Sequence, residues 1–265
     1  MHDGHGFKIP DLNSIRTHRR GGTPVVLVHP VGLDLSYWGM QIEALQRRYD
    51  VIAYDLPGHG RSPGSPKDWT LDKAAALLAR VVRSSGATSA HIVGLSVGGM
   101  IAQAMTLAEP SLALSLTLID TAASFPDAAR EGMRARAKAA REGGMQAVLQ
   151  STIERWFTAE TVAQRPDIVD RVTKTLLADD PAVHAALWDM ISALNLVPEL
   201  HRITCPTLIL VGEFDPSSPP AAAQTLAENI PGASMHIIPH ASHMAPLEKP
   251  EAINTHLLSF LASLE

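Results

Sequence analysis

Cysteine is almost missing from this chain. Cys205 is the only one in 265 residues, which excludes an internal disulfide framework and fits a reducing compartment. Long apolar runs are missing too: none reaches the roughly 18 residues that a membrane helix needs. The opening stretch MHDGHGFKIPDLN has no apolar core of the length that a secretory signal requires. These absences predict a cytoplasmic protein that does not engage a membrane. No basic run occurs and the formal net charge is −5, so nothing steers the chain toward nucleic acid or anionic lipid. Repeats and low-complexity tracts are absent as well. Charged residues make up 18% and hydrophobic ones 46%, which is ordinary globular usage rather than disorder.

What is present is an alternation. Short apolar runs rich in Val, Ile and Leu recur at Val25–His29, Val51–Asp55, Ala90–Gly94, Leu114–Asp120, Thr207–Gly212 and Met235–Pro239. Helical patterns lie between them near Trp38–Arg48, Leu71–Ser84, Gly99–Ala108, Ala221–Asn229 and Pro250–Leu264. Strands apolar on both faces and separated by helices predict an α/β protein with a mostly parallel, helix-covered sheet. The alternation breaks between about Ala122 and Asn195, where only helical patterns occur, separated near Gly143–Gly144, Thr158, Pro166 and Pro181. The expected organisation is therefore a core of residues 1–121 and 196–265 with a helical cap, 122–195, inserted into it. Ligands of open α/β sheets bind beyond the carboxyl ends of the strands, which is the region such a cap would roof.

One strand ends abnormally. His91–Gln103 reads HIVGLSVGGMIAQ: a buried strand, a G-x-S-x-G turn at Gly94–Gly98, then a helix with no loop between. In that context the motif is a nucleophile elbow. Side chains at positions 94 and 98 would strike the neighbouring backbone, so glycine is required there, and the turn lifts Ser96 to the tip of the sheet at the positive end of a helix.

A serine hydroxyl needs a base, and the base needs an orienting group. In this architecture the order is serine, acid, histidine. Asp215 follows the strand TLILVG and His243 follows the strand MHIIP, so they are the expected acid and base. Asp120, which ends an earlier strand, is the rival acid; its other reading is a helix cap or turn residue. His240 directly follows Pro239 and reads as a turn. His236, His240 and His243 fall near helical spacing, but Pro239 and the Ile237–Ile238 pair argue for strand and turn, so no metal-binding face is expected. The oxyanion of a tetrahedral intermediate calls for fixed N–H donors. The residue after the nucleophile supplies one, Val97. The loop after the first long strand, His29-Pro30-Val31-Gly32, supplies the other, and since proline has no N–H the donor there is Val31. His29 reads as a brace for that loop rather than as a second base.

Taken together, HPVG, YDLPGHGRS, GLSVGG, GEFDP and ASHMAPLEKP resemble the α/β-hydrolase superfamily from about Thr23 onward. HPVGLDLSYWGMQ, GLSVGGMIAQ, the segment Glu154-Arg155-Trp156-Phe157-Thr158 and GEFDPSSPP are most similar to 3-oxoadipate enol-lactonases and related esterases. The resemblance implies the α/β-hydrolase fold and a catalytic triad of Ser96, Asp215 and His243. It also implies that Trp156 hangs from the cap into the substrate pocket; with His29 it makes up the expected substrate-binding set. Three departures stand out. Pro30 replaces the first glycine of the usual H-G-x-G loop. The N-terminal residues make a poor strand pair where the superfamily has a clear one. A lactone that carries a carboxylate needs a cation in its pocket, and Arg134, Arg136, Lys138 and Arg141 on the cap read as a solvated helix face.

The expected reaction is hydrolysis of a small ester or lactone through an acyl-serine, with no metal or organic cofactor. A broad-range carboxylesterase and a carbon–carbon bond hydrolase are the alternatives within hydrolases. A non-catalytic ligand-binding protein of the same fold is the alternative outside them. Haloalkane dehalogenation would need a carboxylate where Ser96 stands.

Overall fold

The computed structural model describes residues 11–19, 21–66 and 69–265; the part of the N-terminal reading that falls on residues 1–10 lies outside them. In chain order the elements are β1 (Ser14–Arg16), β2 (Pro24–Val28), α1 (Gly39–Leu45), β3 (Asp50–Tyr54), α2 (Leu71–Ser84), β4 (Ala90–Leu95), α3 (Val97–Ala108) and β5 (Ala113–Ile119). Four helices follow with no strand among them: α4 (Asp127–Trp156), α5 (Ala159–Gln164), α6 (Pro166–Leu177) and α7 (Pro181–Ser192). The alternation resumes with β6 (Thr207–Gly212), α8 (Pro220–Asn229), β7 (Ser234–Ile238), α9 (Ala245–Glu248) and α10 (Pro250–Ala262).

The strands form one seven-stranded sheet in the order β1-β3-β2-β4-β5-β6-β7. β2 lies parallel between β3 and β4, with Val25 opposite both Val51 and His91, and every later pairing is also parallel. Only β1 runs antiparallel, Ile15 opposite Ala53. It is three residues long and half-buried, too short and too polar for its pattern to stand out from the neighbouring loop. The inner strands β2, β3, β4 and β6 are buried on both faces, as a helix-covered parallel sheet requires. β7 differs from the apolar expectation because it is an edge: His236 and Ile237 face solvent.

Helices cover the sheet according to their apolar stripes. α2, capped by the Thr70 hydroxyl, buries Ala74, Ala75, Leu78, Ala79, Val81 and Val82, the spacing of one helical face. α3 is buried from Val97 through Thr106, so it has no outward face and runs through the middle of the core. The helix expected at Trp38–Arg48 is shorter, because Asp34 caps a preceding 3-10 turn over Leu35–Trp38 and α1 starts only at Gly39.

The four-helix block is stapled at its base. Ser124 bridges Asn195, Leu196 donates to the Ala123 carbonyl, and the Arg130 guanidinium holds the carbonyls of Phe125, Ser192 and Leu194. α4 breaks at Gly144, where φ is 68° and ψ −173°; no neighbour crowds that position, so it is the left-handed backbone that calls for glycine there. The block rests on the loops at the carboxyl ends of β2 and β3. A Cβ at Gly32 would stand 3.2 Å from the His184 ring, and one at Gly58 would stand 2.8 Å from Val183. At this seam His184 shares a hydrogen bond with Asp179 (3.1 Å) and accepts the Trp188 indole N–H (2.9 Å), so its proton sits on Nδ1. His59 Nε2 approaches the same Asp179 at 3.7 Å.

Candidate active site

β4 delivers Leu95 and stops; α3 begins two residues later. Between them Ser96 has φ 54° and ψ −121°, a sparsely populated conformation for a residue with a side chain, costing about 1–3 kcal/mol. The surroundings hold it there. Its N–H donates to Ile119, and its carbonyl receives the Thr121 hydroxyl and the Gly99 and Met100 N–H groups. A Cβ at Gly94 would overlap the Gly98 carbonyl, and one at Gly98 would overlap the Val28 carbonyl oxygen. Crowding thus accounts for both glycines, while the unusual dihedral falls on the serine itself.

The loops after β6 and β7 bring two more side chains to this point. His243 Nδ1 lies 2.8 Å from Asp215 Oδ2, and His243 Nε2 lies 3.1 Å from Ser96 Oγ. The members of these contacts are 28 and 147 positions apart in sequence, and all three are buried. Asp215 is fixed in turn, its Oδ1 accepting the N–H groups of Ser217 and Ser218. With the carboxylate accepting at Nδ1, the imidazole carries its proton there and leaves the Nε2 lone pair for the Ser96 hydroxyl. Such a chain can move a proton from the hydroxyl to the ring as the oxygen attacks.

Asp120 is close by but in a different position. It ends β5 with φ 45°, is fully buried, and receives the Gly212 N–H on Oδ1 at 2.7 Å. Burial first, then the neighbouring Asp215 charge, pushes its carboxyl well above the usual carboxylate range. It therefore braces the foot of the acid loop rather than the imidazole. His240 is an exposed turn residue with φ 56°, its N–H on Glu213. His236 stacks on His256.

The other expected pieces divide. Gly98 packs directly on the Val28 and His29 carbonyls, so the elbow abuts the loop that carries Val31. The N–H groups of Val31 and Val97 have no protein acceptor among the described residues; Val97 opens a helix, where the first N–H groups lack intrahelical partners. His29, expected in the substrate-binding set, does not belong there. Its Nδ1–H donates to Pro30 O and its Nε2 accepts the Leu56 N–H, both at 2.8 Å, and the ring is wholly buried. Both nitrogens are consumed in tying the β2 and β3 loops together.

Burial, with the neighbouring His59, pushes the His29 pKa down to about 3 from an ordinary 6.5. The folded protein thus refuses a proton that the unfolded chain accepts below pH 6.5. Stability present above that pH is lost as pH falls toward 3, by about 2–3 kcal/mol at pH 4.5. Urea unfolding from pH 7 to 4 is expected to show this slope, and a His29→Gln variant to show one shallower by about one proton.

Glu248 was not singled out from sequence, although it lies in ASHMAPLEKP. Its Oε1 accepts the N–H and hydroxyl of Thr158, each at 2.8 Å, and its Oε2 accepts the Ser242 N–H at 2.6 Å. One carboxylate thus joins the helical block to the residue before His243. The signal available was a single acid in an otherwise apolar stretch just after the histidine. Nearby, the Ser242 hydroxyl donates to the Arg155 carbonyl and the Met244 N–H to the Trp156 carbonyl. Trp156 itself is buried at the end of α4. Glu248→Ala is expected to cost about 1–3 kcal/mol in chemical unfolding and to lower kcat roughly 10- to 100-fold by displacing the base.

Of the four basic residues expected on a solvated face, three lie there. Arg134 is exposed, Lys138 faces Glu142, and Arg141 pairs with Asp189. Arg136 departs from that reading: its guanidinium carbon sits 4.2 Å from the centroid of the Trp188 ring, partly withdrawn from solvent. Among the described residues no group of three His, Cys, Asp or Glu side chains is arranged to hold a metal ion, and no helix is long and apolar enough to cross a membrane.

Known proteins share this fold. The model of the alpha/beta hydrolase family matches residues 25–255. The 3-oxoadipate enol-lactonase 2 of Acinetobacter baylyi is 28% identical over 230 residues, 87% of this chain and 85% of its own. Among solved structures, the enol-lactonase from Burkholderia xenovorans LB400 superposes with a TM-score of 0.90 at 29% identity, covering 95% of this chain and 96% of that one. A thermophilic esterase from Thermogutta terrifontis with malate bound superposes at 0.89 with 30% identity, covering 96% and 93%.

Proposed function

The chain belongs to the alpha/beta hydrolase family, and from that premise we propose that it is a serine hydrolase cleaving a small carboxylic ester or lactone through an acyl-serine. The observation that carries the reading is the relay Asp215–His243–Ser96, with the imidazole Nε2 3.1 Å from the hydroxyl. His243 removes the hydroxyl proton as Ser96 Oγ attacks the carbonyl carbon. Asp215 keeps the ring in the required tautomer and stabilises it when charged. The Val31 and Val97 N–H groups receive the oxyanion. As the tetrahedral intermediate collapses, His243 returns the proton to the leaving oxygen. In a lactone that oxygen stays tethered to the acyl group, and an enol leaving group passes on to its ketone, which makes the step effectively irreversible. Water then attacks the acyl-serine with the same histidine as base, releasing the acid.

In this reading residues 122–195 are the cap over a core of 1–121 and 196–265, and Trp156 forms part of the pocket roof beside His243. The named relatives act on an enol-lactone or are described as an esterase, which supports lactones and simple esters alike as substrates. A fluorophosphonate probe tests the proposal. The native protein is expected to be labelled at Ser96, and the Ser96→Ala variant not at all. A native protein that resists the probe and fails to turn over 4-nitrophenyl acetate or a muconate-derived lactone would overturn it.

A further inference from the structure

One buried contact between the helical block and the sheet is mismatched as it stands. His59, on the loop after β3, turns Nε2 toward Oδ2 of Asp179, between α6 and α7, at 3.7 Å, and both side chains are buried. The other ring nitrogen fixes the tautomer. Nδ1 lies 3.2 Å from the Pro57 carbonyl oxygen, which can only accept, so Nδ1 carries a hydrogen. A neutral His59 would then aim the lone pair of Nε2 at a carboxylate, and Nε2 has no hydrogen-bond partner among the described residues. Asp179 is left short as well. Its Oδ2 takes the Nδ1–H of His184 at 3.1 Å, while its Oδ1 has no partner among the described residues. Two acceptors facing each other away from water are costly, and a single proton removes the conflict. An imidazolium at His59 donates from both nitrogens and gives the buried carboxylate its counter-ion.

The neighbouring groups leave that proton to His59. His29 and His184 each use one ring nitrogen to donate and the other to accept, so neither takes a second proton without breaking a bond. Burial first, then the charge of His59, pushes His29 down to about 3. Burial also lowers His184, with His59 and Arg136 acting in the same direction and Asp179 against them. Both histidines bear on the loop that carries Val31. His29, whose ring centroid is 5.4 Å from that of His59, donates to the carbonyl of Pro30, the residue before Val31. The His184 ring presses on Gly32, the residue after it, 3.2 Å from where a Cβ would stand. Asp179 thus anchors the two rings that flank Val31 along the chain.

We propose that His59 and Asp179 form a buried imidazolium–carboxylate pair and act as positioning residues for the oxyanion donor at Val31. The proposal rests on the serine-hydrolase reading above and adds to it two residues that act through the loop rather than on the reacting atoms. An oxyanion donor works only if it is held in place before charge develops on the oxygen. That charge exists in the transition state and not in the bound substrate, so a loosened donor lowers kcat and leaves KM nearly unchanged.

The test joins a spectrum to kinetics. In nitrogen-15 NMR at pH 7, with the His59 signal assigned by its loss in His59→Gln, the native protein is expected to carry hydrogen on both nitrogens of His59. In Asp179→Asn the amide oxygen can still accept from His184 while the amide N–H₂ donates to His59, so Nε2 is expected to become bare. Asp179→Ala leaves both histidines unmatched and is expected to lower kcat on 4-nitrophenyl acetate by about 10- to 100-fold with KM little changed. Asparagine at the same position is expected to recover most of that loss. Fluorophosphonate titration of Ser96 to a full equivalent in each variant shows that the fall is not a loss of folded protein. A bare Nε2 in the native protein would overturn the proposal even if Asp179→Ala did not fold. A native kcat in Asp179→Ala, or a loss confined to KM, would overturn it too, and both results leave the hydrolase reading standing. A native protein that neither turns over the ester nor reacts with the probe would overturn the hydrolase reading and with it the positioning role, whatever the spectrum shows.

Discussion

Ser96→Ala is expected to lower kcat by about 10⁵–10⁶, leaving only what positioning and the oxyanion donors supply. The size follows from the geometry: the Ser96 hydroxyl is the oxygen on His243 Nε2, so without it the substrate must wait for a water in the same place. The fold is expected to survive, because the backbone of Ser96 is held by Ile119, Thr121, Gly99 and Met100 rather than by its hydroxyl. A companion variant separates catalysis from strain. Ser96→Gly removes the same oxygen but suits the backbone φ of 54°, so it is expected to be equally inactive yet more stable than Ser96→Ala by about 1 kcal/mol. Thermal unfolding of the two variants side by side checks this. A glycine variant no more stable than the alanine one would mean that the elbow is not strained.

Asp215→Asn is expected to lower kcat by about 10⁴. The asparagine fits the space, but its amide would turn either a donor toward the Nδ1–H of His243 or its N–H₂ toward the N–H groups of Ser217 and Ser218. The ring then loses the tautomer that frees Nε2. Asp120→Asn is the matched control with the opposite expectation. Burial and the Asp215 charge hold its carboxyl well above the usual range, an amide carries no charge to desolvate, and its oxygen can keep the bond to the Gly212 N–H. Activity is expected to remain within about tenfold of native. The pH dependence of stability carries the sign. A carboxyl whose folded pKa is raised binds its proton more tightly folded than unfolded, so its stabilising contribution is full below about pH 4 and is lost as pH rises through the folded value. The stability of the native protein minus that of Asp120→Asn is expected to fall as pH rises over that window, opposite in sign to the His29 contribution. A collapse of kcat in Asp120→Asn with a near-native Asp215→Asn would exchange the two roles.

Most of the sheet was legible because its inner strands are buried on both faces, which leaves uninterrupted apolar runs in the sequence. β1 was not legible: three residues, one of them an arginine tied to Asp50, carry no such pattern. The elbow could be read because steric crowding admits only glycine at two fixed positions. The meeting of Ser96, Asp215 and His243 followed from their places at strand ends, since a parallel sheet gathers those ends along one edge. His29 reads from sequence both as a brace for its loop and as a substrate contact, and the feature that separates the two, the Leu56 N–H on its Nε2, comes from the loop after β3, 27 residues away. Arg136 was grouped with Arg134, Lys138 and Arg141 for the same reason. Four basic residues on one helix look alike in one dimension, and the turn that rotates one of them inward is set by packing against α7.

The two straps between residues 155–156 and 242–244, with Glu248 beside them, have a mechanical corollary. Any displacement of the end of α4 is transmitted to the loop that carries His243, because one main-chain bond, one serine hydroxyl and one glutamate couple the two.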